Sequence, residues 1–454
     1  MNLSVVILAA GKGKRMVSEL PKVLHPVGGK AMVEHVLETA AQLGAQQRVV
    51  VYGHGGEQVQ AALAGQPVAW AEQAQQLGTG HAVAQALPQV GDDGTVLVLY
   101  GDVPLVRPET LIPLVEAAAR RELGLLTVVL DDPIGYGRIV RDRVGHVRRI
   151  VEEKDASAQE RHIREVNTGI LAAPAGLLKK WLGNLNNDNV QGEYYLTDII
   201  EMAGQDGIRV EAVAAPQPWE VEGVNNRRQL ARLERLFQNR QADELMDRGA
   251  TLLDPERVEV RGSLTTGKDV TIDVNVVFEG SVTLGDRVSI GPNCVIRNAE
   301  IGDDVEILAF SHVDGARVAS GCEVGPYARL RPQAELHPKA KVGNFVEIKK
   351  AVVGEGSKVN HLTYIGDAEI GRDVNVGAGT ITCNYDGANK HKTIIDDGAF
   401  IGSNSALVAP VRIGKNATVG AGSAIGREVP DGALGLTRAP QKIVQDWLRP
   451  RKKG

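Results

Sequence analysis

A chain of 454 residues is long enough for two or three domains, each with its own core. Its formal net charge of -5 argues against a nucleic-acid-binding protein, which needs a basic face to displace counterions. The 3 cysteines form no CxxC pair, so the sequence indicates neither a zinc site nor a disulfide framework. No stretch approaches the roughly 20 apolar residues of a membrane span, and the apolar run at its start is too short for a signal peptide. We therefore expect a cytoplasmic location.

Residues 1–227 alternate β-rich runs with helical patterns. SVVILAA is followed by AMVEHVLETAAQLG, and QRVVVYG by GEQVQAALAG, which is the rhythm of βαβ units. The runs TVLVLYGDVPL and ELGLLTVVL are rich enough in Val and Leu to be strands of a mainly parallel sheet that is covered on both faces. The prediction is a doubly wound, Rossmann-like α/β domain that binds ligands beyond the carboxyl ends of its strands.

Residues 228–248 are predicted to form a linker helix. The stretch is charged and free of Gly and Pro, and Leu230, Leu233 and Phe237 recur near helical spacing. Such a helix would reach on the order of 30 Å, enough to hold two domains apart. The alternative is that it packs as an ordinary surface helix of the first domain.

Residues 249–454 follow a period of six. Aliphatic residues recur at this spacing, commonly before a small residue, as in IGKNATVGAGSAIG. Each piece predicts a short strand and a tight corner, and three pieces form one triangular coil of a parallel β-helix. A β-sandwich is the less favoured alternative, because its turns come about every 8 to 12 residues. The periodic residues include Leu284, Ile290, Val324, Leu330, Leu336, Val342, Ile348, Ile401, Leu407, Ile413, Val419 and Ile425.

The period of six is interrupted at ITCNYDGANKHKT, from Ile381 to Thr393. This stretch is polar and rich in Asn, Asp and Gly. Insertions in repeat folds are displaced to the surface and often bind ligands. We predict a loop that leaves the β-helix and carries binding function.

The string LAAGKGKRM places two glycines and three cations just after the first apolar run. It is neither a P-loop nor the dinucleotide fingerprint, because GxxxxGK[ST] is absent and Met16 stands where a third small residue is needed. Glycines still let backbone N-H groups approach a phosphate, and Arg15 and Lys22 supply charge-assisted hydrogen bonds. An ordinary strand-to-helix turn remains the alternative for this loop taken by itself.

Several further strings carry a resemblance to a known family. LAAGKGKRM, PKVLHPVGGK, QLGTGHA, LYGDVPL, GYGRIV, EEKDA, EVNTGI and EVEGVNNR follow in the order found in nucleoside-diphosphate-sugar pyrophosphorylases. The β-helix region adds GPYARLRP, NFVEIKK, HLTYIGDAEIG and GAGTITCNYDG. The whole chain resembles the bacterial bifunctional N-acetylglucosamine-1-phosphate uridyltransferases and glucosamine-1-phosphate acetyltransferases. The resemblance implies that the β-helix is left-handed.

The resemblance implies that the first domain joins N-acetylglucosamine-1-phosphate to UTP and releases pyrophosphate. Asp102 and Asn225 would hold Mg²⁺, and Arg15 and Lys22 would neutralise the triphosphate. Lys14 departs from the family, which usually carries Thr there, and the alternative for Asp102 is a turn or helix-cap carboxylate. The other substrate-binding residues implied are Leu8, Ala9, Ala10, Gly11, Tyr100 and Gly101, with Gln73, Gly78 and Thr79 for uracil and Gly137, Glu152 and Asn167 for the sugar.

The resemblance implies that the β-helix transfers acetyl from acetyl-CoA to the amine of glucosamine-1-phosphate. That step needs a base near neutral pKa, which histidine provides, and His361 matches the family's catalytic histidine. Arg331 and Lys349 are 18 residues apart, one full coil, so both are expected on one face. The phosphosugar residues implied are Arg331, Lys349, Tyr364 and Asn375, and the acetyl-CoA residues implied are Ala378, Asn384, Tyr385, Ser403, Ala421 and Arg438.

The family assembles as a homotrimer whose acyl-donor sites are shared between neighbouring β-helices, which implies the same assembly here. The basic tail RPRKKG is interpreted either as a cover for CoA phosphates or as solvated chain. The functional prediction is a two-site enzyme that makes UDP-N-acetylglucosamine for cell-envelope synthesis. The alternatives are a single-activity nucleotidyltransferase whose β-helix serves assembly or regulation, and a non-catalytic ligand sensor.

Overall fold

The structure is a computed structural model that describes residues 2–450 and 452. The chain divides into two compact units, Met1–Phe237 and Gln238–Gly454. Three residues of the basic tail, 451, 453 and 454, lie outside the described residues. Among the helices that are described, none combines the length and the apolar character needed to cross a membrane.

The N-terminal unit is built on a 9-stranded sheet with helices along it. Its strands are β1 Leu3–Leu8, β4 Gln47–Tyr52, β5 Ala69–Glu72, β6 Thr95–Tyr100, β7 Leu123–Val129, β8 Arg138–Arg141, β9 Val147–Val151, β10 Glu165–Pro174 and β11 Val210–Ala214, with a separate pair β2 Pro26–Val27 and β3 Lys30–Ala31. Its helices are α1 Met32–Gln42, α2 Gly56–Ala62, α3 Thr79–Ala86, α4 Pro108–Ala119, α5 Ala175–Gly183 and α6 Ile199–Gln205.

The order of the main sheet is β11-β7-β10-β6-β1-β4-β5. The pairings of β1 with β4 and β6, of β4 with β5 and of β7 with β11 are parallel, whereas β10 runs antiparallel to β6 and β7. The antiparallel β8-β9 hairpin joins this sheet at β10. The prediction of a mainly parallel sheet is therefore correct except at β10 and the β8-β9 hairpin. β10 lies between β6 and β7 and runs in the opposite direction to both.

Alternate residues of the central strands are buried on opposite faces of the sheet. In β1, Val5 and Ile7 belong to one apolar cluster, and Val6 and Leu8 belong to another. A strand that is covered on both faces needs an apolar side chain at every position, which explains the unbroken run LSVVIL. This is the doubly wound layering.

A helix, α7, extends over Arg227–Asp247. Its first half packs on the N-terminal unit, where Leu233 is fully buried with Met16, Val27 and Val224. In its second half, Ala242 and Leu245 belong to the core of the C-terminal unit. Each half of this helix therefore contributes to a hydrophobic core.

The C-terminal unit is a parallel β-helix made of two continuous sheets, one of 11 and one of 15 strands. The 11-stranded sheet contains Thr251–Leu252, Thr271–Ile272, Ser289–Ile290, Glu306–Ile307, Glu323–Val324, Lys341–Asn344, Lys358–His361, Asn375–Val376, Phe400–Ile401, Thr418–Val419 and Leu434–Gly435. The 15-stranded sheet contains Val258–Thr266, Val276–Leu284, Val295–Arg297, Glu300–Ile301, His312–Asp314, Arg317–Val318, Arg329–Leu330, Ala334–Leu336, Glu347–Val353, Tyr364–Ile370, Ile381–Cys383, Thr393–Ile395, Ala406–Val408, Val411–Ile413 and Ala424–Ile425.

The periodic aliphatic residues form the core of the β-helix. Val313 lies opposite Leu330, Leu330 opposite Ile348 and Ile348 opposite Ile365 on successive coils, and all four are fully buried. No coil can bury its apolar side chains by itself, so each stabilises the next one. Every periodic residue named above from the sequence is buried in the core of the β-helix.

The predicted surface loop is shorter than the sequence suggested. Ile381–Cys383 and Thr393–Ile395 are both strands of the β-helix, so the displaced segment is 384–392. An isolated antiparallel bridge between Tyr385 and Lys390 holds this loop together. The polar composition of the flanking residues concealed that their backbone still pairs with neighbouring coils.

Candidate active sites

A cavity of about 260 Å³ opens at the carboxyl ends of β1 and β6. These strands are paired in parallel with Leu8 opposite Tyr100, so the polar residues that follow each strand meet at one edge of the sheet. Ten of the predicted substrate residues line this cavity, namely Leu8, Ala9, Ala10, Gly11, Lys22, Gln73, Gly78, Thr79, Tyr100 and Asp102. Gly101 lies between two of them, and its N-H donates to the Leu8 carbonyl at 2.9 Å.

The glycine-rich loop passes directly against Lys22. Gly13 has a φ of 56°, and a Cβ there would lie 2.8 Å from the Lys22 Cβ, so only glycine fits without displacement. The loop continues into a short 3-10 turn, Lys14–Met16, on which Lys14 and Arg15 are exposed. The structure does not bring Arg15 into the lining of the cavity.

The segment predicted to read the base closes one wall of the cavity. The Gln73 Nε2 donates to the Gly78 carbonyl at 3.1 Å. Gly78 has a φ of 110°, and a Cβ there would lie 2.6 Å from the Tyr194 carbonyl oxygen. Thr79 follows as the first residue of α3. This wall of the cavity therefore depends on close backbone packing at Gly78, where no residue larger than glycine would fit.

Lys22 and Asp102 line the cavity, and Asn225 lies next to both of them. The Val224 N-H donates to the Asp102 carbonyl at 3.0 Å, which places Asn225 beside Asp102. The Lys22 ammonium is paired with the Asp102 carboxylate and lies 3.4 Å from the Asn225 Oδ1. A cation is therefore already held between the two side-chain oxygens predicted to bind Mg²⁺.

The donor set fits Mg²⁺, which prefers oxygen ligands and takes few of them from the protein. Among the described residues, no group of three or more His, Cys, Asp or Glu could hold a metal ion. Any magnesium ion here would therefore complete its shell with phosphate oxygens and water. Asp102 and Asn225 are suited to that arrangement and not to a closed protein cage.

A second, smaller cavity of about 100 Å³ adjoins the first, and Thr79 and Tyr100 line both. Glu152 and Asn167 line this second cavity, and the Asn167 N-H donates to the Gly137 carbonyl at 2.8 Å. Burial raises the pKa of Glu152 above its usual range, and that of Tyr100 is raised by burial and the nearby Asp102. The three predicted sugar residues are thus brought together next to the nucleotide cavity.

In the β-helix, four of the predicted acetyltransferase residues occupy equivalent corners of successive coils. The Gly379 N-H donates to the His361 carbonyl at 3.2 Å, and the next two rungs join Asn404 to Ala378 and Gly422 to Ser403. The corner row is therefore His361, Ala378, Ser403 and Ala421. These residues fall on one edge because each coil takes about three hexapeptides. The longer step from Ala378 to Ser403 contains the loop 384–392.

His361 is exposed, and its ring is oriented by the coil below. Its Nδ1 lies 2.7 Å from the Oδ1 of Asn344, the residue paired with it in the sheet. An amide oxygen only accepts hydrogen bonds, so Nδ1 carries the proton and Nε2 is left with a free lone pair. This geometry makes the exposed nitrogen a base.

A cluster of cations lies around the predicted phosphosugar residues. The Lys390 ammonium on the loop lowers the pKa of Lys349, and Arg331 adds to the effect. The Arg331 Nη1 donates to the Glu347 Oε1 at 2.8 Å, which limits the orientations open to the guanidinium. Three positive groups in one region form a favourable environment for a phosphate.

The remaining predicted acetyltransferase residues are placed as follows. Glu347 lies opposite Tyr364 in the sheet. Asn384 is buried at the start of the loop and donates to the Asp367 carboxylate, whereas Tyr385 is 60% exposed. A Cβ on Gly420 would lie 3.6 Å from the Arg438 Nη2, and Asn375 lies in the 11-stranded sheet opposite Phe400.

Sequence reasoning missed several residues of these sites. Gln76 and Glu193 line the nucleotide cavity, Asn344 orients His361, and Lys390 joins the cation cluster. Three of them lay within strings already singled out: Gln76 begins QLGTGHA, Asn344 begins NFVEIKK and Lys390 lies in the loop ITCNYDGANKHKT. Asn344 had a second signal, because it precedes His361 by 17 residues, about one coil. Glu193 had none, since it follows an irregular segment far away in the sequence.

Comparison with known proteins identifies both halves. Residues 5–168 match the MobA-like NTP transferase domain, and residues 264–298 and 392–427 match the bacterial transferase hexapeptide repeats. The Bifunctional protein GlmU of Marinobacter nauticus is 60% identical over 99% of both chains. That of Idiomarina loihiensis is 59% identical over 100% of this chain and 99% of its own.

The chain belongs to the bifunctional GlmU family. The GlmU of Methylococcus capsulatus, 58% identical over 100% of this chain and 98% of its own, extends the same match. The predicted fold, a Rossmann-like nucleotidyltransferase domain and a β-helix of hexapeptide repeats, is confirmed. The predicted function, a uridyltransferase joined to an acetyltransferase, is confirmed as well. The single-activity alternative is not supported, because the GlmU relatives match both halves of the chain from end to end.

Proposed function

We propose that the C-terminal unit acetylates glucosamine-1-phosphate and that the N-terminal unit then joins the product to UTP. The observation that supports the second step best is the cluster of Lys22, Asp102 and Asn225, of which Lys22 and Asp102 line the nucleotide cavity. The acetylated sugar phosphate would then occupy the adjoining cavity lined by Glu152 and Asn167. UDP-N-acetylglucosamine and pyrophosphate leave the enzyme.

In acetyl transfer, the sugar amine attacks the thioester carbonyl carbon. His361 Nε2 removes the proton from the amine, the carbon-sulfur bond breaks, and CoA leaves as the thiol after taking up a proton. Arg331, Lys349 and Lys390 bind the phosphate of the sugar, and Tyr364 and Asn375 contact the same substrate. Ala378, Asn384, Tyr385, Ser403, Ala421 and Arg438 bind acetyl-CoA.

In uridylyl transfer, a phosphate oxygen of the sugar attacks the α-phosphorus of UTP, and the bond to pyrophosphate breaks. Both reactants are anionic, so the reaction requires positive charge in the cavity. Lys22 supplies it within the cavity, and Arg15 adds to it from the exposed turn Lys14–Met16. Asp102 and Asn225 hold Mg²⁺, which neutralises phosphate charge when it is bound.

The assembly that we propose is a homotrimer. Phe310, Tyr327 and Phe345 stack on successive coils, with ring centroids 4.9 and 5.2 Å apart, and each is about half exposed. All three have positive φ, between 55° and 61°, which is costly for non-glycine residues. An apolar stack kept at such positions on a protein surface is typical of an interface.

The aromatic stack continues into the acetyltransferase corner. The Leu362 N-H donates to the Asn344 carbonyl at 3.1 Å, so Leu362 takes the position after Phe345 in the same row. His361 immediately precedes Leu362. A neighbouring copy that covers the stack would therefore also reach the acetyl-CoA row, which supports acyl-donor sites shared between subunits.

The cellular location that we propose is the cytoplasm. UTP and acetyl-CoA, the two co-substrates, are cytoplasmic metabolites. The three cysteines are free, two of them buried, which suits a reducing compartment.

An assay with glucosamine-1-phosphate, acetyl-CoA, UTP and Mg²⁺ tests the proposal, with free thiol and pyrophosphate followed separately. Asp102→Ala should lose pyrophosphate release alone. His361→Ala should lose thiol release yet still form pyrophosphate from supplied N-acetylglucosamine-1-phosphate. A wild type that releases pyrophosphate from supplied N-acetylglucosamine-1-phosphate but no thiol from glucosamine-1-phosphate and acetyl-CoA would overturn the acetyltransferase assignment.

A further inference from the structure

Arg138 is a buried arginine beside the sugar cavity. It is the first residue of β8, and its side chain is only 1% exposed. Arginine is rarely buried in proteins unless it is paired, because a charge loses its hydration there. Its position next to Gly137 raises the question of what the buried charge does.

The pairing of strands places Arg138 beside the predicted sugar residues. It lies opposite Val151 of β9 on one side and opposite Val166 of β10 on the other. Each of these three residues is next to a predicted sugar residue in the sequence. Gly137 precedes Arg138, Glu152 follows Val151, and Asn167 follows Val166.

The guanidinium of Arg138 ties together the two segments that carry Gly137 and Glu152. Its Nη2 donates to the Glu153 Oε2 at 2.7 Å, and its Nη1 donates to the Tyr136 carbonyl. The same Glu153 oxygen accepts from the Gly135 N-H at 3.3 Å. The hydrogen bond from Arg138 lowers the pKa of Glu153, so this carboxylate is ionised at neutral pH.

The packing around Gly137 leaves no room for movement. A Cβ there would lie 2.8 Å from the Ile150 Cγ2 and 3.4 Å from the Glu152 Oε1. A shift of the Tyr136 to Gly137 backbone would therefore press on Ile150 and Glu152, both of which line the sugar cavity. The Arg138 Nε is also buried without a partner among the described residues, so the ion pair is not an optimal arrangement for stability alone.

We propose that the Arg138-Glu153 pair positions the sugar end of the uridyltransferase site by fixing Gly137 against Glu152. Arg138 and Glu153 are positioning residues, since their charged groups contact each other and the loop backbone. The inference rests on the proposed function of this cavity as the site of N-acetylglucosamine-1-phosphate. It adds that affinity for the sugar phosphate depends on this ion pair.

The test compares Arg138→Gln and Glu153→Ala with a matched control on the same strand. Arg141 makes an equivalent pair at the far end of β8, with its Nη2 2.6 Å from the Glu165 Oε1, and Arg141→Gln is the control. We expect KM for N-acetylglucosamine-1-phosphate to rise by about tenfold or more in both test variants, because small misplacements of binding groups are costly. KM for UTP, acetyl transfer and all constants of Arg141→Gln should stay within about twofold of wild type, since Arg138 and Glu153 do not line the nucleotide cavity and Arg141 does not line the sugar cavity.

A conservative variant separates positioning from general destabilisation. The side-chain carbonyl of Glu153→Gln still accepts from Arg138, so this variant should recover part of the sugar affinity that Glu153→Ala loses. Should Arg138→Gln fail to fold, judged by tryptophan fluorescence, Glu153→Ala carries the test, because the Glu153 side chain is 29% exposed and tolerates removal better.

The outcomes distinguish the inference from the function on which it rests. An unchanged KM for the sugar phosphate in Glu153→Ala, together with a raised KM in Glu152→Gln, would disprove the positioning role and leave the proposed function intact. Equal rises in the KM of both substrates, or the same change in Arg141→Gln, would also disprove it and assign the pair a structural role. If the wild type makes no pyrophosphate from N-acetylglucosamine-1-phosphate, the proposed function itself is wrong.

Discussion

The Asn344 side chain accepts a hydrogen bond from His361 across two successive coils of the β-helix, with 2.7 Å between Oδ1 and Nδ1. The contact fixes the tautomer that leaves Nε2 free at the protein surface. It therefore connects the stacking of the repeats to the ring orientation and tautomer of the candidate base. Asn344, the first residue of the NFVEIKK motif, thus orients the candidate catalytic one.

Replacing Asn344 by Ala should slow acetyl transfer. We expect kcat to fall by about tenfold, less than the roughly 10²- to 10⁴-fold that a general base contributes as a whole. The measurement is thiol release at saturating substrates. Asn344→Asp keeps an acceptor at this position and should retain more activity, and equal rates for Asn344→Ala and wild type would contradict the orienting role.

Chelation of divalent metal should separate the two reactions. Excess EDTA should abolish pyrophosphate release, because Lys22 alone cannot neutralise the charge of two phosphate substrates. Thiol release should continue unchanged, since acetyl transfer needs only a base and a thioester. Pyrophosphate release that persists in EDTA would exclude a magnesium ion held by Asp102 and Asn225.

A charge within the aromatic stack should disrupt the proposed trimer. Tyr327→Glu places a carboxylate between Phe310 and Phe345, and burying it in an interface without a partner is costly. Light scattering after size-exclusion chromatography should show a smaller species, with acetyl transfer reduced and uridylyl transfer preserved. Val144→Glu, at a position that is 75% exposed in the N-terminal unit, is the control and should remain trimeric.

Replacing Glu152 by Gln should stabilise the N-terminal unit at neutral pH while weakening sugar binding. Burial raises the pKa of Glu152 above its unfolded value, so wild-type stability falls as pH rises from the unfolded pKa through the folded one. The gain in melting temperature should therefore be present at pH 7.5 and vanish near pH 4. Tryptophan fluorescence reports it, because Trp70, Trp181 and Trp219 lie in this unit.

A gain in stability of Glu152→Gln that is equal at both pH values would show that the effect does not come from ionisation. The Thr197 hydroxyl donates to the Glu152 Oε1 at 3.3 Å, and the glutamine oxygen can still accept this bond. The comparison therefore isolates the charge.

Shortening a core residue of the β-helix should destabilise the C-terminal unit. Ile348→Ala removes a fully buried side chain between Leu330 and Ile365, which typically costs about 2–5 kcal/mol in a packed core. The urea midpoint for loss of acetyl transfer should fall clearly. Val408→Ala, at a position that is 44% exposed, should shift it little, and equal shifts would contradict the stacked core.

The sequence by itself determined the two architectures and predicted most of the residues that the structure brings together at the two candidate sites. A period of six and a βαβ rhythm are local patterns, because each records which side chains of a short segment face a core. Motifs such as LYGDVPL and HLTYIGDAEIG supplied the residue types by resemblance. The stacking of Arg331 over Lys349 was also predictable, since coil length converts sequence spacing into position.

Only the tertiary structure decided which distant segments meet. Lys22 and Asn225 are 203 residues apart, and their contact depends on the order of strands in the sheet and on the Val224 to Asp102 hydrogen bond. The antiparallel direction of β10, which places Asn167 beside Gly137, has no local signature, because a buried strand reads the same in either direction. Contacts between segments that are far apart arise from packing of the whole unit, and no spacing within one segment encodes them.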